Sequence, residues 1–295
     1  MRQIEGTSLL VTIAEDLPSE PVLKVWALDK IEKKTGAPRC LSTVSVQNGR
    51  RPFPVSIPSR GTLETIADSA QVSTFVCLED LSQVAVGFAN GSVAIIRGDL
   101  INDRGARQRI VFDSQEPITG LEVQHGHTIT TLFIATTNRI LTLTIAGRGQ
   151  GQPARVLEDA GCAVGCMALD KETGDILIAR EDAIHTYGLR GRGPSFAYDS
   201  PKKFLNLFKG YVALVCPPKT AASKSDTLRR FSVGQTDDIF NTTTFTFLDT
   251  DLNFIAHSEA LISSPKNVFT LWGDLFLMGS DGKVGSAVSI QGIIC

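Results

Sequence analysis

The sequence predicts an all-β fold, a WD40-like β-propeller of four-stranded blades. Three observations lead there. Apolar and polar residues alternate at period two in segment after segment, the pattern of half-buried strands. These segments come in pairs around turn-forming residues such as Asn90-Gly91, Asn138, Asp182 and Asp281-Gly282. The pairs also recur at a blade-like spacing. Turn centres lie near residues 18, 90, 138, 182, 222 and 281, and beyond the first gap they are 40 to 59 residues apart. A four-stranded propeller blade takes roughly 40–50 residues. No long stretch carries the i, i+3, i+4, i+7 apolar face of a helix.

The elements follow in order. SLLVTIAED and PVLKVWALD form the first pair, and Leu23–Asp29 is similar to the strand that closes a WD-type repeat. QVAVGF and SVAIIRG flank Asn90-Gly91, a dipeptide suited to the positive φ angles of a type I′ hairpin. TLFIATTN with RILTLTI, and DILIARED with AIHTYGL, repeat the scheme. YVALVC is expected to pair with LRRFSVG across a polar loop at 217–227, and DLFLMGSDG-KVGSAV closes the series. Inner strands of a blade are apolar on both faces because a neighbouring blade packs on each. The Val/Ile/Leu runs broken by Ala and Gly fit that demand. A β-sandwich is the structural alternative.

Composition narrows function. The chain has 295 residues, 42% of them hydrophobic, enough to bury a core. The net charge of −2 lacks the basic excess of a nucleic-acid binder or a polybasic membrane anchor. No apolar run approaches the ~20 residues that span a bilayer. The first apolar stretch runs into Glu15 and Asp16, so no secretory signal is expected. Cys40, Cys77, Cys162, Cys166, Cys216 and Cys295 are scattered, mostly in strand-like runs, and read as buried reduced thiols. Cys162 and Cys166 have no second pair and no nearby His, which is not zinc spacing.

Nothing in the sequence reads as an active site. His125 and His127 fall in a polar turn without metal spacing. Gly147-Arg148-Gly149-Gln150-Gly151 is followed by Pro153 and another strand, whereas a phosphate-binding loop opens a helix. The inner strands look small and apolar, so neither a catalytic centre nor a cofactor or metal site is expected. One surface feature stands out. Arg97, Arg104, Arg107 and Arg109 cluster in one connection, Arg148 and Arg155 in the next blade's, and Arg190 and Arg192 in the one after. Corresponding connections should share a rim, giving a basic arc for a partner or an acidic lipid.

Segments including EGTSLLVTIAED, PVLKVWALDK, EDLSQVAVGFANGSVAIIRGDL, GRGQGQPARVLEDAGCAVGCMALD, SDTLRRFSVGQTDDIFNTTTFTFLDTDLNFIAHSE and WGDLFLMGSDGKV carry a family resemblance. Together they resemble the N-terminal propeller of the vacuolar protein sorting-associated protein 11 family, in its fungal form, from about residue 2 to Val284. The resemblance implies a non-catalytic scaffold of the HOPS and CORVET tethering complexes in endosome-to-vacuole transport. Its implied partners are the other class C subunits, with no nucleic acid. Membrane contact is indirect or peripheral, and the location is cytoplasmic, on vacuolar and late endosomal membranes. The alternatives are the propeller of another coat-like or nuclear-pore scaffold and a propeller enzyme.

Against that family the chain reads as about six of seven blades, with an upstream blade missing and the ring open. The family's α-solenoid and RING domain are absent from residues 1–295. Two stretches depart from the family text: a tail at 285–295 and an insert, Val55–Gln71. Joining Pro54 to Val72 restores the pattern, and Val-Ser opens both the insert and the resumed strand. The insert reads as a retained intron translated in frame, looping out between blades.

Overall fold

A computed structural model describes residues 1–14, 20–47, 71–126, 129–145, 153–218, 242–261, 263–279 and 283–286. Its strands form six antiparallel sheets. Blade 1 holds β1 (Arg2–Gln3), β2 (Leu9–Ala14), β3 (Val22–Ile31) and β4 (Pro38–Ser45). Blade 2 holds β5 (Val72–Cys77), β6 (Gln83–Phe88), β7 (Ser92–Asp99) and β8 (Arg104–Asp113). Blade 3 holds β9 (Ile118–His125), β10 (Thr130–Thr136), β11 (Ile140–Ile145) and β12 (Arg155–Glu158). Blade 4 holds β13 (Met167–Leu169), β14 (Ile176–Ala179), β15 (Ala183–Gly188) and β16 (Gly191–Ala197). Blade 5 holds β17 (Phe204–Phe208), β18 (Tyr211–Cys216), β19 (Thr243–Asp249) and β20 (Phe254–Leu261). Blade 6 holds β21 (Asn267–Leu271), β22 (Asp274–Met278) and β23 (Val284–Ser286).

The first strand of each blade is innermost. β5 packs on β9, β9 on β13, β13 on β17, and β17 on β21. The open ring expected from the sequence is not observed. β1 lies beside β21, and the Trp272 backbone N–H donates to Gln3 Oε1 at 2.5 Å. Blade 1 also packs its core on blade 2, so the six blades form a closed circuit. Closure follows from the apolar faces themselves, since a blade without a neighbour would leave one face in water.

The core sits between blades. Ile95 and Ile96 are adjacent on β7 and both buried. Ile96 joins the cluster shared with blade 1, and Ile95 the cluster shared with blade 3. Period-two alternation thus distributes one strand's side chains to two seams. Burying each such side chain contributes about 1.5–3 kcal/mol.

The predicted hairpins at Asn90-Gly91, Asn138 and Asp182 are all connections between second and third strands. The turn chemistry at Asn90-Gly91 differs from the expectation. The loop has three residues, Ala89 to Gly91, and only Gly91 has positive φ, at 88°. The Gly91 N–H bonds the Phe88 carbonyl at 3.1 Å, and Asn90 Oδ1 accepts from the Ser92 N–H and hydroxyl. This is a type I turn followed by a left-handed residue, the usual three-residue solution. Two-residue turns with positive φ at both positions lie instead at Lys209-Gly210 and Trp272-Gly273. A second correction concerns β18. Its partner is β19, Thr243–Asp249, where Thr and Phe alternate, not LRRFSVG. Residues 219–241, with LRRFSVG and most of the 217–227 loop, lie outside the described residues. So do the 55–70 part of the insert, the Asp281-Gly282 turn and the tail from 287.

Blade connections are latched by side chains. Glu116, between β8 and β9, accepts from the Thr136 hydroxyl at 2.5 Å and from Arg139 Nε at 3.2 Å. Arg139 Nη2 completes a two-pronged ion pair at 2.9 Å. The Thr136 hydrogen bond, with Arg139 behind it, holds the Glu116 carboxyl below its usual range. A carboxyl depressed on folding stabilises the fold above its unfolded value and loses that contribution as pH falls through the folded one. Glu116→Gln is expected to cost about 1–2 kcal/mol at neutral pH, with the cost shrinking below about pH 4. Urea denaturation of both forms at pH 7 and pH 3.5 measures this. Lys202, also buried, is held by backbone: its Nζ donates to the carbonyls of Arg180, Glu181, Tyr198 and Ser200.

Candidate interaction face

Because each blade runs up and down, its first-to-second and third-to-fourth turns emerge on one face. The other two kinds of connection emerge on the opposite face. The first face presents an exposed large apolar residue from every blade, in or next to a turn. They are Ile31, Ile101, Ile129, Leu189, Leu252 and Trp272, exposed by 36–71%. On the opposite face the comparable described residues are Met1, Val164 and Val284. Trp272 is fixed by its turn, where φ is 50°, followed by Gly273.

The predicted arginines fall into two groups. In blade 2, Arg97 lies directly opposite Arg107 across β7 and β8, and Arg109 follows on the same face of the sheet. Arg97 is partly buried and donates from Nε and Nη2 to Gln83 Oε1 at 3.2 and 3.1 Å. Arg104, Arg107 and Arg109 are exposed. Like charges placed opposite one another repel.

The second group bridges blades 3 and 4. Arg155 Nη1 donates to the Leu189 carbonyl at 3.4 Å. Arg192 reaches Glu158 at 3.7 Å and His185 Nδ1 at 3.0 Å, so much of its charge is spent internally. Burial, then the nearby Arg180 and Arg192 guanidiniums, holds the His185 imidazole below its ordinary value. Arg190 is exposed in the turn before β16. Arg148 lies outside the described residues.

The channel differs from expectation. The inner strands read as apolar, yet Arg2 on β1 and Glu122 on β9 form an ion pair across the ring at 3.0 Å. At the mouth, Lys171 bridges Glu5 and Glu79, the latter at 2.7 Å, tying turns of blades 1, 2 and 4. No local pattern marks these residues; only ring closure brings them together. Burial raises the Cys77 and Cys166 thiols to about 12 and Cys162 to about 11. These thiols are therefore poor nucleophiles at neutral pH.

The closed ring of apolar-seamed blades, with turn-borne apolar side chains on one face, defines a six-bladed β-propeller. Solved structures agree on the fold. The β-propeller domain of Cps50 (Swd1) from Myceliophteria thermophila superposes with a TM-score of 0.58 at 9% identity, covering 95% of this chain and 78% of that one. The BBS1N chain solved in complex with ARL6DN gives 0.54 at 8% identity, covering 94% and 74%. The family is equally clear: residues 1–286 match the PEP5/VPS11 N-terminal family, and the chain belongs to it. The mouse vacuolar protein sorting-associated protein 11 homolog is 30% identical over 285 residues, 96% of this chain and 27% of that protein. The Dictyostelium discoideum homolog is 27% identical over 307 residues, 96% of this chain and 30% of that protein. The chain thus spans a little over a quarter of the relatives it matches.

Proposed function

We propose that this propeller is a non-enzymatic interaction domain of a tethering-complex subunit, of the HOPS and CORVET kind, in transport from endosome to vacuole. The observation that carries the reading is the family match across residues 1–286, whose relatives are named for vacuolar protein sorting. The domain acts through protein contacts with other subunits of such a complex, and its membrane association is peripheral. Among the described residues no helix is long and apolar enough to cross a membrane.

The blade 2 arginines supply a charged contact in this reading. Arg104, Arg107 and Arg109 meet an acidic surface of a partner subunit. Changing all three to Glu is expected to lower recovery of that partner at least tenfold in co-purification, and more at low salt. Unchanged recovery removes these residues from the interface. The broader test deletes residues 1–286 from the gene product and follows vacuolar delivery of a sorted cargo. Normal delivery with normal complex composition would overturn the reading.

A further inference from the structure

Five blades have a described fourth, outermost strand, and each ends its sheet. An exposed sheet edge is a template for pairing with another chain, and proteins blunt such edges with charged side chains, Lys above all, with Pro and with bulges. β4 carries Pro38 and Arg39, β8 three arginines, β12 Arg155, and β16 Arg192 and Pro194. β20, Phe254–Leu261, has no Lys, Arg or Pro, and its one carboxylate, Glu259, has His257 two residues before it. It is apolar at its exposed start instead: Leu252 is 71% exposed, Phe254 47% and Ile255 50%.

The strand is also complementary to itself. Ile255-Ala256-His257-Ser258-Glu259-Ala260-Leu261, paired antiparallel with its own copy about Ser258, sets His257 opposite Glu259 twice. It sets Ala256 opposite Ala260 twice, and brings Ile255 toward Leu261 at both ends. The His257 Nε2 atom is buried without a hydrogen-bond partner and stands 3.8 Å from its own Glu259 Oε2. The rest of the His257 side chain is about a third exposed, and it is this part that a second copy meets. The ladder with β19 breaks at Ala256, but similar breaks occur in β4, β8, β12 and β16. The irregularity does not distinguish β20; the missing Lys, Arg and Pro do.

We propose that β20 is a homotypic docking edge, pairing antiparallel with β20 of a second copy about a two-fold axis at Ser258. Directly opposed cross-strand pairs of unlike charge stabilise, and like charges destabilise. Such an edge buries less than a standard interface, so weak association in the micromolar range is expected.

Sedimentation velocity on the 295-residue chain, from about 1 to 200 μM, tests it. A concentration-dependent dimer is expected. His257→Glu puts two carboxylates opposite each other at both symmetric pairs and should weaken the dimer about tenfold. The swapped double variant, H257E with E259H, restores the opposite pairing and should recover wild-type association. Circular dichroism melts check that each monomer is folded. A chain that stays monomeric throughout overturns the proposal. So does a double variant no stronger than H257E, or an H257E chain that associates like wild type.

Discussion

Replacing Gly91 by alanine is expected to lower stability by about 3–4 kcal/mol, far more than an ordinary turn substitution. Two effects combine. Gly91 has φ of 88°, a region that costs a residue with a Cβ about 1 kcal/mol or more. An added Cβ would also sit 2.2 Å from the Ser114 carbonyl oxygen and 2.7 Å from that of Glu116. Those atoms are backbone, in the connection leading to blade 3, and Ser114 donates its own N–H to the Gly91 carbonyl at 3.0 Å. Relieving the clash would move that connection and loosen the Glu116 latch beside it. Gly36 is the internal control. It has φ of 66°, but a Cβ there would meet nothing within 4 Å, so Gly36→Ala should cost only the backbone term, about 1 kcal/mol. Thermal melts of both variants separate the contributions. Equal losses would mean that the steric term is absent.

Phe133→Ala is expected to cost about 3–5 kcal/mol, the range for emptying a large aromatic site in a packed core. Phe133 is fully buried on β10 and belongs to the cluster that runs through blades 3, 4 and 5. Ile176, Ile178 and Tyr187, each fully buried, belong to the same cluster. Rigid sheets on both sides cannot collapse into the gap, so the cavity term persists. Phe254→Ala, on the exposed edge of β20, should change stability by less than about 1 kcal/mol. Urea titrations measure both. A shift in midpoint at constant slope identifies lost stability of the whole ring, whereas a shallower slope signals blades that unfold separately.

Much of the fold is legible in the sequence because it is encoded locally. Val84, Val86 and Phe88 followed by Asn90-Gly91, then Val93 and Ile95, already spell a hairpin whose faces are both buried. The type of that turn is not legible, because Ala89 belongs to the loop and one extra residue changes which φ angles must be positive. The turns at Lys209-Gly210 and Trp272-Gly273 are hidden because neither lysine nor tryptophan advertises positive φ. The partner of β18 is obscured because the intervening segment itself contains a strand-like run. The arginines can be counted in the sequence, but the opposition of Arg97 and Arg107 depends on register, which a list of residues does not carry.

The sequence by itself therefore determined strand periodicity, most of the hairpins, the apolarity of both blade faces and the family. All of these follow from neighbours along the chain or from the order of segments. Tertiary structure alone decided that β1 meets β21 and that Arg2 reaches Glu122, 120 positions away. It also decided that Lys171 joins Glu5 and Glu79, and that β20 is an outer edge. Those outcomes depend on ring closure, in which each blade's position is set by the packing of all the others.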